Sequence, residues 1–402
     1  MYKKLQDIDV TNKKVVIRLD YNVPMKDGNI LDDFKIVQSL DTLKYLMEKN
    51  CKIVILSHLG KVKSEKDKII NTLEPVAKRL KELLKSNVIF AKQNDAEELH
   101  GLIDKLNPKD IVLLENTRTQ DFPEKKESKC DMELAKFWAS LGEVFVFDAF
   151  GSSHRRHSST YGISKYLPTC VGLLVQKELE MLNKYVINAE HPFTIIMGGA
   201  KIDDKIELMN KLLPKCDHML LTGGIANTCL ATIGFQTGNS LKSKDPDIIN
   251  QVKTMLVTYK NKILLPFDVI VGNTYNDEYI SQKNIIAVDT NEEIKDIGIK
   301  TINIYKDIIH QSKSIFVNGT AGLYEDNRFA NGTRELLDIL SKSLANVIVG
   351  GGDSASAARN MNYADKFSFV STGGGATLEY IIKEKLDALD DEEENNSEIE
   401  IL

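Results

Sequence analysis

The chain has five cysteines, Cys51, Cys130, Cys170, Cys216 and Cys229, and no two of them form a CxxC pair. That absence argues against a disulfide framework and a zinc site, and fits reduced thiols in a cytosol. No apolar run approaches membrane-spanning length, and the opening MYKKLQDIDVTNKK lacks the apolar core of a secretory signal. A cytoplasmic location without membrane contact is the expectation. Positive charge is not in excess either. The net charge of −6 gives no overall pull toward nucleic acid, so any anion site must be a local concentration of cations. Two familiar phosphate signatures are also missing: GxxxxGK[ST] occurs nowhere, and no strand-linked GxGxxG opens the chain.

What is present is the alternation of an α/β protein. At 402 residues the chain is too long for one ordinary core, and two domains are the expectation. Short β-branched runs alternate with amphipathic stretches. The first series is VVIRL (15–19), KIVILS (52–57), NVIFA (87–91), IVLLE (111–115) and VFVFD (144–148). The second is FTIIM (193–197), HMLLT (218–222), KILLP (262–266), SIFVN (314–318), VIVGG (347–351) and FSFVS (367–371). Continuous apolar strands of this kind belong in parallel sheets covered on both faces. Helical patterns fall at 39–50, 74–85 and 132–142, and GLLVQKELEMLNKYV (172–186) reads as a connecting helix. The predicted fold is two Rossmann-like, doubly wound domains joined by a hinge helix, with ligands beyond the carboxyl ends of the strands.

The residues at those ends differ between the halves. The first half carries Asp20, Asn22, His58, Lys61, Arg118, Asp148 and the run HRRH (154–157), which suits a small, highly charged anion. The second carries glycine: Gly198–Gly199, Gly223–Gly224, Gly319, Gly322, Gly350–Gly352 and Gly373–Gly375. Bare backbone at successive strand ends suits a nucleotide, whose phosphates need close approach and unpaired helix amides. A single glycine pair is most simply a turn; five clusters in succession are not. Lys201 and Lys205 in GGAKIDDKI stand four apart on a starting helix and share a face.

RLDYNVP (18–24), SHLGK (57–61), LENTR (114–118), DAFGSSHRRHSST (148–160), GGAKIDDKI (198–206), VNGTAGLYE (317–325), GGGDSASAA (350–358) and STGGGATLE (371–379) resemble, in order and spacing, the signature segments of the phosphoglycerate kinase family. The resemblance implies reversible phosphoryl transfer between 1,3-bisphosphoglycerate and ADP, giving 3-phosphoglycerate and MgATP. It implies an acid-binding domain over 1–171, a connecting helix and hinge over 172–190, and a nucleotide domain over 191–380. A segment over 381–402 then returns toward the first domain and ends in an acidic tail. Asp20, Asn22, Lys35, His58, Leu59, Gly60, Lys61, Arg118 and Arg155 fall on acid-binding positions. Gly199, Lys201, Lys205, Gly223, Gly224, Asn318, Leu323, Glu325, Gly351, Gly352, Asp353 and Ser354 fall on nucleotide positions, with Asp353 on Mg²⁺. Lys35, Lys205, Gly352 and Gly374 would act on the transferring group. His154 and His157 are read as structural histidines rather than proton carriers. A monomer acting on small molecules is implied.

Departures from the family pattern accompany these matches. Lys35 and Lys61 stand where the family has arginine, Thr119 where an aromatic is usual, and Thr320–Ala321 where Pro-Met is usual. Lysine keeps the charge of arginine but not its planar fork. The alternative reading is therefore a divergent paralogue that binds nucleotide or phosphorylated acid with little or no turnover. A dinucleotide-dependent dehydrogenase is disfavoured, because Asp353 follows its glycines at once rather than ~20 residues on.

Overall fold

The computed structural model describes residues 2–200, 202–273 and 276–390. Two compact units divide the chain: Met1–Glu178 with Lys385–Leu402, and Leu179–Glu384. The acidic-tail reading of residues 391–402 and the assignment of Lys201 lie outside the described residues.

In the first unit six strands pair in parallel in the spatial order Val88–Ala91, Ile111–Leu114, Lys52–Leu56, Lys14–Leu19, Val144–Asp148, Thr169–Val171. Their apolar runs are buried on both faces; Val15, Ile17, Ile53, Ile55, Ile111, Leu113, Val144 and Val146 belong to one core cluster. The first strand in the chain is central and its neighbours run off in opposite sequence directions. The crevice of a doubly wound sheet lies at such a switch point, here just beyond Leu19.

The second unit repeats the design in the order Ile263–Leu264, His218–Leu221, Phe193–Met197, Ser314–Asn318, Asn346–Gly350, Phe369–Val370. Its switch point falls between Met197 and Asn318, so Gly198–Gly199 and Gly319 face each other there. Gly198 N donates to Asn318 O at 2.8 Å, and Gly199 N to Thr320 O at 2.8 Å.

All eleven expected strands form. Three features were not foreseen. Thr169–Val171 adds a sixth strand to the first sheet, too short to show a pattern. A hairpin pairs Met25–Lys26 with Asn29–Ile30 across Asp27–Gly28, both at positive φ (50° and 77°), a turn that Asp-Gly favours. The second unit also carries an antiparallel sheet of Asp268–Asn273, Asn276–Asn284 and Glu292–Ile297. Its edge strand Asn276–Asn284 reads NDEYISQKN, polar enough to pass for a loop. The inward face nonetheless packs Val269 and Val271 with Leu230, Ile285 and Val288.

The connecting pattern over 172–186 is also shorter as an α-helix than expected. Leu173–Leu182 is regular, and Asn183–Ile187 continues as a wider turn. The Asn183 side chain donates to Leu179 O (2.7 Å) and to Tyr380 Oη (2.8 Å), so it competes with the helix ladder at the point of change. The boundary between the units falls inside Leu173–Leu182.

Candidate active site

In the first unit the side chains beyond the central strand are laced together. Asp20 is buried. Its Oδ2 accepts from Lys35 Nζ at 2.8 Å and its Oδ1 from the Asn22 amide at 3.1 Å. Burial alone would raise the Asp20 carboxyl; the Lys35 ammonium, with the Asn22 amide, outweighs it and holds the group well below the usual carboxylate range. Asn22 in turn accepts from Gly60 N at 2.9 Å through Oδ1. Gly60 sits at φ +60°, and a Cβ there would lie 2.8 Å from Asn71 Oδ1, which explains glycine at this bend. Lys61 is exposed on the same loop.

Arg18 lies inside the strand VVIRL and is 1% exposed. Its Nε donates to Ser159 Oγ (2.8 Å) and one terminal nitrogen lies 3.1 Å from His58 Nδ1. Ser159 hands the contact on to buried Glu127, through both its hydroxyl and its amide. Because a guanidinium only donates, His58 Nδ1 accepts, and Nε2 carries the ring proton. Burial, then the charges of Arg18, Arg118 and Lys35, depress His58 far below its ordinary value, against the pull of Asp20. It is thus a neutral donor. His157 is pushed down to about 3 by burial and by Arg18, Arg118 and Arg155. Burial is the largest cause of both shifts, and the cations at the strand ends, more than Asp20 and Glu127 balance, add to it.

Two more cations complete this half-site. Arg118 is held by its amide on Asn116 Oδ1 (3.0 Å), and its Nε is buried with no hydrogen-bond partner among the described residues. Arg155 donates from Nε to His154 Nε2 at 3.0 Å. Asp148, one of the polar strand-end residues, does something else. It accepts from Val175 N at 3.0 Å, capping the start of the connecting helix, and burial raises its carboxyl to about 6.

In the second unit four helices begin where strands end: Asp203–Leu212, Gly223–Thr232, Gly352–Asn360 and Gly375–Lys383. Their first amides are the donors a polyphosphate needs. Lys205 is 6% exposed and its Nζ donates to Asn318 Oδ1 at 2.6 Å. Asn318 Nδ2 donates to Gly350 O at 2.9 Å, so a single carboxamide ties the lysine to the GGGD turn. Gly351 has φ +99°, and a Cβ on it would lie 2.5 Å from Asn318 Nδ2; only glycine fits. Ser354 is buried and donates from Oγ to Gly350 O at 2.7 Å, so its proton serves the turn.

Beside these turns lies a cleft of about 260 Å³. Its walls include Gly199, Gly223, Gly224, Leu323, Glu325 and Asp353. Asp296 also lines it, a residue the sequence did not single out. Burial raises its carboxyl to about 7, although it accepts from Gly332 N at 2.6 Å and Ile297 N at 2.9 Å. Gly352 precedes Asp353 with open space around it, and Gly374 (φ +56°) caps the last helix. Among the described residues no group of three or more His, Cys, Asp or Glu is arranged to hold a metal. One exposed carboxylate at a helix start suits a cation delivered with phosphate oxygens, not a protein cage.

Sequence reasoning missed Arg18, Asn116, Glu127 and Ser159. A charged residue inside an apolar strand run was the signal for Arg18. Glu127 and Ser159 gave none, since their pairing with Arg18 spans 141 residues between Arg18 and Ser159.

A cation-rich half-site and a glycine-lined cleft on two doubly wound sheets define an anion- and nucleotide-handling α/β protein. The phosphoglycerate kinase family model matches residues 5–384. The phosphoglycerate kinase of Macrococcus caseolyticus is 44% identical over 381 residues, covering 94% of this chain and 96% of that protein. That of Fusobacterium nucleatum is 43% identical over 386 residues, 95% and 96% of the two chains. Among solved structures, phosphoglycerate kinase from Coxiella burnetii superposes with TM-score 0.83 at 36% identity, covering 97% of this chain and 98% of that one. The Pyrococcus horikoshii enzyme gives 0.84 at 28% identity, with 96% and 97% coverage. The chain belongs to the phosphoglycerate kinase family.

Proposed function

We infer that this chain is a phosphotransferase with a carboxyl group as acceptor, moving a phosphoryl group reversibly between 1,3-bisphosphoglycerate and ADP to give 3-phosphoglycerate and MgATP, a glycolytic step. The observation that carries this reading is the division of labour between the units. One gathers Lys35, His58, Arg118 and Arg155 where a small polyanion would sit; the other offers glycine turns, helix amides and Lys205 to a nucleotide. A non-catalytic paralogue is not favoured, because Lys205 and Asp353 stand beside the cleft and the family match is nearly full length.

The chemistry asks little of the protein beyond position and charge. The group leaves one ionised oxygen for another, so no general base is needed. We assign Arg118, Arg155, Lys61, Asn22 and the neutral His58 Nε2–H to binding the acid, and Lys35, Lys205 and the helix starts at Gly352 and Gly374 to the moving phosphoryl. Glu325 would accept the ribose hydroxyls and Asp353 would hold Mg²⁺, which neutralises phosphate charge when bound. Helix Leu173–Leu182, which carries the unit boundary, is assigned the hinge. We further propose a cytoplasmic monomer. No helix of the described residues is long and apolar enough to cross a membrane, and all five cysteines are free thiols. A coupled assay with ATP and 3-phosphoglycerate tests the reading. ADP formation that requires both the acid and Mg²⁺ is expected, and its absence refutes the assignment.

A further inference from the structure

The acid half-site draws on loops following four different strands, Lys14–Leu19, Lys52–Leu56, Ile111–Leu114 and Val144–Asp148, and one side chain fixes two of these loops to each other. Asn116 is fully buried and uses its whole carboxamide. Oδ1 accepts from the amides of Leu59 (3.1 Å) and Arg118 (3.0 Å). Nδ2 donates to the carbonyls of Leu59 (2.7 Å) and Asn71 (2.9 Å). Its backbone is pinned from the other side. The Asn116 amide donates to Glu115 Oε1 (2.7 Å), and its carbonyl accepts from Asn94 Nδ2 (2.9 Å) and from the Thr119 hydroxyl (2.8 Å). The loop thus held continues into Gly60, whose amide reaches Asn22 just beyond the central strand. The turn thus held continues into Arg118, whose buried Nε has no acceptor among the described residues. A buried charged donor without a partner calls for an explanation, and a bound anion supplies one.

We propose that Asn116 is a positioning residue for the acid substrate: it sets the spacing between the Leu59–Gly60–Lys61 loop and the Arg118 guanidinium. This rests on reading the first unit as the acid half-site. No atom of Asn116 need touch substrate. A planar carboxamide with all four hydrogen-bonding positions filled permits a single geometry. Removing it strands the amide and carbonyl of Leu59, a residue 4% exposed, and the loop must shift to regain partners. A displacement of ~1 Å in a binding group can cost about 100-fold. Loop and arginine grip substrate and transition state alike, so the loss falls on KM for the acid, not on kcat.

The test compares Asn116→Ala and the nearly isosteric Asn116→Asp with the parent enzyme, using ATP and 3-phosphoglycerate. For Asn116→Ala, KM for 3-phosphoglycerate should rise about 10- to 100-fold, while KM for ATP and kcat stay within a few-fold. Asn116→Asp keeps the Oδ1 acceptor but turns a second oxygen toward two carbonyls and adds negative charge. Its KM for the acid should also rise, by a factor that shrinks as salt is added. A purely structural role would lower kcat with the folded fraction and leave both KM values alone; that result overturns the proposal, as does an equal rise in both. If Asn116→Ala fails to fold, the same split in Asn116→Asp decides. A parent without turnover refutes the kinase reading instead, a separate outcome.

Discussion

Lys35 offers the sharpest test of how the acid half-site uses charge. Its ammonium is 2.8 Å from a carboxylate that is 6% exposed, while Lys35 itself is 28% exposed. Lys35→Ala therefore does two things: it removes the cation assigned to the transferring group and leaves Asp20 buried without its partner. Two unit charges ~4 Å apart at an effective dielectric near 20 exchange about 4 kcal/mol, so an uncompensated Asp20 repels a polyanion strongly unless it takes up a proton. A loss of at least tenfold in kcat, about 1.4 kcal/mol, is the conservative expectation. The double variant Asp20→Asn with Lys35→Ala separates the contributions. It should recover the part of the loss due to the stranded carboxylate and leave the part due to the missing cation. Lys35→Arg should raise kcat by up to about tenfold. The planar fork can keep Asp20 on one edge and present the other to the phosphoryl group, adding a charged hydrogen bond worth about 1.5–3 kcal/mol before its costs. Nucleotide KM should not move, since nucleotide is assigned to the other unit. Steady-state kinetics in both directions reads all of this. If Lys35→Ala stays within twofold of the parent, Lys35 does not act on the transferring group. If Lys35→Arg is slower, the site is shaped around lysine and the geometric argument is wrong.

Lys205→Ala should abolish turnover without unfolding the chain, because a cation at the phosphate can contribute several kcal/mol to the transition state. An unchanged kcat in a folded variant removes that role. Asp353→Asn should weaken use of MgATP far more than Mg-free nucleotide binding. A Mg²⁺ dependence of activity identical to the parent's rules it out as the metal ligand. His58 is buried and His157 half-buried, and both hold protons less well than in the unfolded chain. As pH falls below about 6.5 the unfolded chain therefore takes up protons that the folded one does not, and stability drops by about 1.4 kcal/mol per pH unit for each histidine. His157→Gln should remove one such contribution and flatten the loss between pH 7 and 5 in urea unfolding. Parallel curves for parent and variant would refute this.

Much of this molecule was legible in its residues because the signals are local. A buried parallel strand must be apolar along its whole length, so every strand of the two main sheets longer than three residues announced itself. A turn at positive φ pressed against a neighbour admits only glycine, so Gly351 marked a close approach before any coordinate did, whereas the bend at Gly60 against Asn71 was not foreseen. The polar antiparallel strand Asn276–Asn284 stayed hidden because only one of its faces is covered. Asp148 stood among the polar residues at the strand ends and proves to be a cap, which depends on what the next element does.

The sequence alone determined the fold class, the glycine turns at the strand ends of the second unit and the types of cation at those of the first. Only the tertiary structure decided their states: that Asp20 takes Lys35, that Arg18 spends its charge through Ser159 on Glu127, that His58 is therefore neutral with its proton on Nε2, and that Asn116 binds Leu59 to Arg118. The reason is physical. Charge, hydrogen-bond capacity and backbone freedom belong to the residue, whereas desolvation and partnership depend on which groups the chain brings within ~3 Å, and those lie tens of residues apart.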